Sequence, residues 1–344
     1  MAQLADEGFA LPDDYENTIS GLELETQEPG APWYVRLFAG LSAWIAALFL
    51  IAFLFTANIL QEDESAIFAG LLFCAIAVGL KRPGSRNDFL EQLGLALSLA
   101  GQVLFVVGLG SLWEEVVPVA LALIVLEILL LWAYPDILHR FISTIIIVGA
   151  LLAIILNQDM LEATHILIFA LSVIAFILYW QENRLLLTGL RELTRPVSYG
   201  IAVSLLGLLI LPLIEDADVR WWQLTAALLL GVLLFLVWQI AADLGLASRS
   251  EVMIWLAAGC VALFIPAIRM PGILGALIIL LLGFWRNNRL LIGLASVFLV
   301  FYLGAIYYVL EWTLLEKSFA LLVTGLVLFL LRYVLLRFTE GDAI

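Results

Sequence analysis

Long apolar segments recur along the whole chain and alternate with short polar stretches. A run of about 18 or more apolar residues can cross a bilayer as a helix, because about 20 residues at 1.5 Å rise span a core of about 30 Å. Of the 344 residues, 64% are hydrophobic and only 13% are charged, about half the charged fraction of a soluble domain. The pattern predicts an all-α integral membrane protein built as a polytopic bundle.

We predict about twelve transmembrane helices from these runs. The transmembrane domain covers 35–337, between an acidic cytosolic tail at 1–34 and a short cytosolic tail at 338–344. The ninth and tenth spans are short or marked by proline, so they either both cross the membrane or form a re-entrant hairpin. The predicted spans are approximately 35–57, 65–81, 89–111, 116–134, 139–157, 162–180, 197–214, 221–243, 250–267, 271–285, 290–310 and 317–337.

The basic residues gather on one side of this map. With the N-terminus in the cytosol, only Arg220, Arg269 and Lys317 of the 16 Lys and Arg residues face outside. Short cytosolic loops of membrane proteins carry an excess of Lys and Arg, and this bias sets the orientation of the helices. We therefore expect a multi-pass protein of the bacterial inner membrane with both termini in the cytosol.

Two segments of the chain are similar to each other. "YWQENRLLLTGL", from residue 179, and "FWRNNRLLIGL", from residue 284, both close a helix that runs inward. One interpretation is a repeat of three parallel four-helix units, at about 35–134, 139–243 and 250–337. The other is that a tryptophan followed by an arginine suits any helix that ends at the inner interface.

A carboxylate interrupts one of the most apolar segments, "IVLEILLLW" at 124–132. Glu127 lies seven residues before the predicted inner end at Tyr134, roughly 10 Å into the membrane at 1.5 Å per residue. An ionisable group at such a depth is costly and is a candidate for function. It either carries a proton, pairs with a basic group such as His139 or Arg140, or lines a wet cavity.

Other polar side chains lie at similar depths in other spans. Gln239 and Asp243 are i, i+4 neighbours on one face of their helix, and Gln102 lies deeper in its own. They either converge with Glu127 on a cytosol-facing polar site or make separate hydrogen bonds between helices.

The sequence carries few motifs of enzyme chemistry. No cluster of His, Cys, Asp and Glu has the spacing of metal ligands, and no phosphate-binding glycine loop, HExxH or nucleophile elbow occurs. Cys74 and Cys260 both lie in apolar runs and read as small core residues. We expect no enzyme activity, no cofactor and no nucleic-acid partner.

The last third of the chain resembles a known family. "PGILGALIILLLGFWRNNRLLIGL" (271–294), "YYVLEWTLLEKSFALLVTGLVLFLLR" (307–332) and the opening "PWYVRLFAGLSAWIAALFL" (32–50) are similar to the bacterial membrane family catalogued as domain of unknown function 4401. The family has no settled activity. The resemblance implies a membrane assembly with other multi-helix proteins and a partner that carries a short GDYxxLxY motif.

The resemblance also marks positions at the outer end of the last span. They are Tyr307, Tyr308, Thr313, Leu315, Glu316, Lys317 and Ser318. Glu316 and Ser318 can cap the start of a helix, which is the simpler interpretation. The alternative is a docking point for a partner on the outer face, held through Lys317 and Glu316 and framed by Tyr307, Tyr308 and Trp312.

Two functions follow as expectations. The first is a subunit of a membrane assembly that contacts lipid and other integral membrane proteins. The second is a transporter of a small solute or an ion that uses Glu127 as a cytosol-side carboxylate. The sequence does not identify a substrate.

Overall fold

In a computed structural model, the described residues are 63–81, 88–182, 191–214, 220–245, 250–268 and 270–309, with part of 42–56 and single positions between 315 and 329. The regular structure within these ranges is helical and contains no strand. Ten α-helices have bounds there, with a short 3₁₀ helix, Leu211–Leu213, after the sixth. They are α1 Asp63–Leu80, α2 Asp88–Trp113, α3 Val116–Ala133, α4 Ile137–Asn157, α5 Ala163–Trp180, α6 Arg191–Leu208, α7 Trp222–Asp243, α8 Ser250–Ala267, α9 Gly272–Trp285 and α10 Arg289–Val309.

These helices agree with the predicted spans from 65–81 to 290–310 to within a few residues, except for α6, which both begins and ends earlier than the predicted 197–214. That helix begins at Arg191, before the apolar stretch, and its first turn contains Glu192, whose charge is favourable at a helix N-terminus. The first predicted span, 35–57, lies only partly within the described residues, and the last, 317–337, falls largely outside them.

Six of the described helical segments are long and apolar enough to cross a membrane: Phe89–Trp113, Val116–Ala133, Ile137–Asn157, Ala163–Trp180, Glu192–Leu213 and Trp222–Asp243. Shorter apolar helices cover Glu64–Leu80, Met253–Ile265, Gly272–Trp285 and Arg289–Ala305. The all-helical, membrane-like character is therefore confirmed. The count of twelve crossings, the three-unit repeat and the re-entrant alternative stay predictions.

The chain divides into two compact units, one comprising Met1–Gln61 with Gly70–Gly101 and the other Glu62–Ala69 with Gln102–Ile344. In the first unit, α1 and α2 approach closely where both carry small residues. A Cβ at Gly101 would lie 2.5 Å from the Gly70 oxygen and 2.8 Å from the Cys74 sulfur, so only glycine allows this approach. Cys74 and Cys260 are both buried and are not joined in a disulfide, and the Cys74 thiol donates to the Ser98 carbonyl at 3.6 Å.

The core of the second unit is built around α9. This helix buries nearly its whole circumference, including Leu274, Ile278, Ile279 and Leu282, each fully buried. It packs against α5, α6, α7, α8 and α10, whereas α3 packs mainly on α4, and α4 on α6. A helix that is apolar all round is typical of the centre of a bundle.

The outward faces of the helices are apolar and their inward faces carry polar groups. Leu129 is 61% exposed, Ile166 67% and Val300 73%. Glu127, by contrast, is fully buried, as are several Ser, Thr and His side chains of the second unit. Apolar surface on this scale is unusual for a protein in water and ordinary for one in lipid.

The asparagine pair in "WRNNR" forms the turn between α9 and α10. Asn287 adopts a left-handed conformation with φ 51°. The backbone N–H of Asn288 donates to the Gly283 carbonyl at 2.8 Å, and the backbone N–H of Asn287 donates to the Phe284 carbonyl at 3.1 Å. These two bonds form a Schellman motif at the end of α9. The Asn288 side chain then caps α10 by accepting from the Leu291 amide at 3.2 Å.

Gly272→Ala is expected to destabilise the bundle. The Gly272 amide donates to the Tyr302 hydroxyl at 3.2 Å, and a Cβ at this position would overlap the fully buried Tyr302 ring. Overpacking of this kind costs about 1–3 kcal/mol. The measurement is the thermal unfolding midpoint in detergent micelles. Gly304→Ala in α10 has open space around its Cβ and is the control, since it should leave the midpoint unchanged or raise it.

Candidate functional site

A buried polar cluster lies where α3 and α4 meet α2. It consists of Glu127 from α3, Tyr134 directly after α3, His139 and Ser143 from α4, and Gln102 from α2. We call it the Glu127 cluster. Four of the five residues have no exposed surface and Gln102 is 3% exposed. Five polar side chains packed together inside an apolar bundle need partners, because an unsatisfied buried polar group is costly.

Hydrogen bonds to both ring nitrogens of His139 organise the cluster. The Gln102 amide nitrogen lies 3.2 Å from Nε2, and the Ser143 hydroxyl lies 3.2 Å from Nδ1. An amide nitrogen can only donate, so Nε2 accepts and a neutral ring carries its proton on Nδ1. That proton is directed to the Ser143 oxygen, which leaves the Ser143 hydroxyl hydrogen available to Glu127. The edge of the Tyr134 ring packs on the imidazole at 4.7 Å.

The carboxyl group of Glu127 is the least satisfied member of the cluster. Neither of its oxygens makes a hydrogen bond of regular geometry to a residue that the structure describes. Ser143 is the polar side chain that interacts with it, outside the geometry of a regular hydrogen bond. The cluster is therefore a short polar row that runs from Glu127 through Ser143 and His139 to Gln102.

The arginine nearest in sequence, Arg140, does not neutralise Glu127. The Arg140 guanidinium donates from Nε to the Leu131 carbonyl at 3.0 Å, a free carbonyl of the last turn of α3. Asp136 caps α4 by accepting from the backbone N–H of His139 at 2.9 Å, which stabilises the start of the helix. Of the alternatives for Glu127, pairing with Arg140 is thus not what the structure shows.

An open groove of about 510 Å³ between α2, α3 and α4 points at the cluster. Glu114 and Glu115 lie at one end of it. At the other end its lining includes Val106, Leu123 and Ile146. Each of these three residues is one helical turn, about 5.4 Å, from a member of the cluster on the same helix: Gln102, Glu127 and Ser143 respectively. The end of the groove therefore meets the cluster on all three helices.

The other two polar residues singled out in the sequence lie elsewhere. The Gln239 amide donates to Asp243 at 3.3 Å, and the Trp285 indole donates to the other Asp243 oxygen at 3.1 Å. Asp243 is exposed at the end of α7. Of the predicted set, the structure thus brings Glu127 and Gln102 together and pairs Gln239 with Asp243.

The predicted outer docking residues are largely beyond what the structure describes. Tyr307 and Tyr308 fall in the last turns of α10, without described side chains. Trp312, Glu316 and Lys317 lie outside the described residues. Ser318 donates its hydroxyl hydrogen to the Leu315 carbonyl at 2.9 Å.

Sequence reasoning named His139 only as a possible partner of Glu127 and did not include Ser143 in the site. The two residues are four apart in a predicted span, so they share one face of α4. The i, i+4 spacing of His139 and Ser143 was the signal in the sequence that α4 has a polar face directed into the bundle. Among the described residues, no three His, Cys, Asp or Glu side chains come together as a metal site.

Comparison with known proteins adds a family. The family described as Domain of unknown function (DUF4401) matches residues 32–338. The chain belongs to this family. The match confirms the resemblance found in the sequence and covers nearly the whole DUF4401 chain. Neither a curated protein nor a solved structure matches it. The family is one of unknown function, so membership in it assigns no activity to this DUF4401 protein.

Proposed function

We propose that this protein moves protons across the membrane through the Glu127 cluster, alone or coupled to a small solute. The observation that carries the proposal is the meeting of the groove and the cluster. On each of three helices, a surface groove ends one helical turn from a buried member of the cluster, and on α3 that member is the Glu127 carboxyl. A carboxyl, a hydroxyl and an imidazole in a row are groups that accept and donate protons within a bundle.

The arrangement gives the proton a route with two ends. At the groove mouth, Glu114 and Glu115 attract cations. For transfer to His139, the Gln102 side chain turns its oxygen toward Nε2 and the neutral ring carries its proton there, so that Nδ1 can accept. The Glu127 carboxyl then protonates the Ser143 oxygen as the Ser143 hydroxyl protonates Nδ1, which leaves a Glu127 carboxylate and a His139 imidazolium. Beyond the cluster, Asp136 accepts from the backbone N–H of His139 and is partly exposed at the end of α4.

The orientation follows from the distribution of basic residues. With Arg-bearing loops in the cytosol, the groove mouth at Glu114 and Glu115 opens outward and Asp136 lies at the cytosolic end of α4. We propose that the protein resides in this orientation in the bacterial inner membrane.

The test is proton flux into proteoliposomes that contain a pH-sensitive dye and are driven by a potassium diffusion potential. We expect flux above that of protein-free liposomes, and a loss of about tenfold or more in Glu127→Gln, because general acid–base groups contribute on the order of 10²-fold or more. Asp243→Asn is the matched control, since this carboxylate lies outside the cluster and should not affect flux. Wild-type flux equal to that of empty liposomes, or unchanged flux in Glu127→Gln, would refute the proposal.

A second candidate function is that of a subunit in a membrane assembly. The observation that favours it is an apolar groove of about 590 Å³ between α5 and α7, bordered by Phe169, Phe176 and Phe235. Ala227 and Gly231 in the groove are four residues apart on one helix, and small residues at this spacing allow a second transmembrane helix to pack closely. The proposed occupant is an apolar helix of a partner membrane protein.

Site-specific photocrosslinking in the native host distinguishes the two candidates. A photoreactive residue at Gly231 should give one defined crosslink to an integral membrane protein, and the same residue at Val300, on the exposed face of α10, should not. Gly231 without a crosslink, or an identical pattern from both positions, argues against the assembly. The predicted outer docking point is tested in the same host with the Lys317→Ala variant. If Lys317 holds the partner, the crosslink from Gly231 to that membrane protein should be lost in this variant.

A further inference from the structure

A second polar site lies far along the chain from Glu127, in a cavity of about 130 Å³. It is formed by the end of α5, the first turns of α6 and the residue before α10, and we call it the α5–α6 cavity. Its polar lining consists of Tyr179, Glu182, Thr194, Arg195, Ser198, Tyr199 and Asn288. The volume admits a small ionic group with one or two waters, since a water occupies about 30 Å³.

The strongest indication of a ligand in the cavity is the buried hydroxyl of Tyr179. Its side chain is only 4% exposed, yet its hydroxyl has no hydrogen-bond partner among the residues that the structure describes. Buried tyrosine hydroxyls usually have a partner. Glu182, Arg195 and Tyr199 lie near enough to interact with this hydroxyl electrostatically.

The rest of the cavity is already ordered by internal hydrogen bonds. The side-chain amide of Asn288 donates to the Tyr199 hydroxyl at 2.8 Å, and the Ser198 hydroxyl donates to the Thr194 carbonyl at 2.7 Å. These bonds fix the walls before any ligand binds, and preorganised polar walls lower the entropic cost of binding.

The charge in the cavity favours an anion. The Glu182 carboxylate accepts from Arg286 Nε at 3.0 Å, so its negative charge is compensated by a partly buried ion pair. Arg195 then supplies a positive charge at the cavity with no carboxylate in a salt bridge to it among the described ion pairs. An arginine beside a buried phenol hydroxyl is suited to the oxygens of a phosphate group.

We propose that the α5–α6 cavity binds a phosphate group. Trp180 is the last residue of α5 and Trp285 the last of α9. Both lie at the same predicted inner interface, where aromatic residues sit at the level of lipid headgroups. The phosphate therefore comes either from an anionic phospholipid or from a soluble phosphate compound on the cytosolic side. This inference does not depend on proton movement through Glu127.

The experiment uses the full chain in dodecyl maltoside with phosphate-free buffer. One arm adds inorganic phosphate and the other adds dioleoyl phosphatidylglycerol, with sodium chloride at matched ionic strength as the reference. The thermal unfolding midpoint is followed against concentration, because a ligand that binds only the native state raises it. We expect at least one arm to raise the midpoint above the salt reference. A response to inorganic phosphate identifies a soluble source, and a response to the lipid alone identifies a headgroup.

Three variants make the result specific to the cavity. Arg195→Gln and Tyr179→Phe should each weaken the apparent affinity about tenfold, since each removes a hydrogen bond to a charged group. Arg289→Gln is the control, because Arg289 is an exposed arginine at the same end of the bundle and outside the cavity lining. No stabilisation in either arm, or equal affinity in Arg195→Gln, Tyr179→Phe and the wild type, would overturn the proposal.

Discussion

Glu127→Met is expected to unfold at a higher temperature than the wild-type protein and to show no proton flux. The side chain has no exposed surface, and neither carboxyl oxygen makes a regular hydrogen bond to a described residue. Burial of a polar group without a good hydrogen bond costs about 1–3 kcal/mol in proteins. Methionine fills a similar volume with flexible apolar atoms, so the substitution removes this cost without leaving a large cavity.

The opposite effects on stability and on flux are what identify a functional group. A residue that is kept although it destabilises the fold is retained for its chemistry, as is common in active sites. Two measurements are needed, the unfolding midpoint in detergent and the flux in proteoliposomes. Leu126→Met is the matched control, because Leu126 is the adjacent buried residue of α3 and a volume-conserving change should alter neither quantity greatly.

A lower midpoint in Glu127→Met would contradict this account. It would mean that the carboxyl is stabilised by interactions that its replacement breaks, and that Glu127 has a structural role. Unchanged flux in this variant would count against the proton pathway itself.

His165→Ala is expected to give the largest loss of stability among single polar substitutions in the second unit. His165 is fully buried in the first turn of α5. Its Nε2 lies 2.8 Å from Glu162 and 2.7 Å from the Arg220 carbonyl, and its Nδ1 lies against the Thr225 hydroxyl. The ring thus ties the start of α5 to the start of α7, and alanine would leave the Arg220 carbonyl and the Thr225 hydroxyl without it.

The expected loss is about 3 kcal/mol, which combines unsatisfied buried polar groups with a cavity the size of the ring. Trp222 packs its ring against the imidazole at 5.4 Å and would lose that contact as well. The free energy of unfolding is measured by titration with sodium dodecyl sulfate in mixed micelles. A loss below about 0.5 kcal/mol, the size typical of a surface substitution, would show that the ring is not a structural tie.

A double-mutant cycle with Thr225→Val tests the contact itself. If the imidazole and the hydroxyl are bonded, the effects of His165→Ala and Thr225→Val are not additive, and the double variant loses less than their sum. Additive effects would place the stabilising interaction of His165 with Glu162 and Arg220 alone. Ser204→Ala serves as the control, since this buried hydroxyl lies in α6 and has no described partner.

Glu127 and Gln102 illustrate how far a candidate site can be predicted from a sequence of this kind. An isolated carboxylate in an apolar run is visible from composition alone, because its cost in a membrane does not depend on the fold. Gln102 was also visible for this reason. Its bond to His139 was not, since the two residues are 37 positions apart and only the packing of α2 against the α3–α4 hairpin brings them together.

Gln239 and Asp243 show the opposite case. Their spacing correctly predicted that they share a face of α7, because an i, i+4 relation is local to one helix. Nothing local specified which neighbour that face would meet. In the structure, the Asp243 carboxylate accepts a hydrogen bond from the Trp285 indole, at the end of α9.

The helices themselves were determined by the sequence, since apolar runs of bilayer length are local and the backbone must satisfy its own hydrogen bonds in lipid. From 65–81 to 290–310, the predicted spans correspond to α1 to α10. Only the tertiary structure decided which polar residues meet. The Glu127 cluster, the His165 tie and the α5–α6 cavity each join distant parts of the chain, because the packing of helices depends on the shapes of whole faces, which no short stretch of sequence specifies.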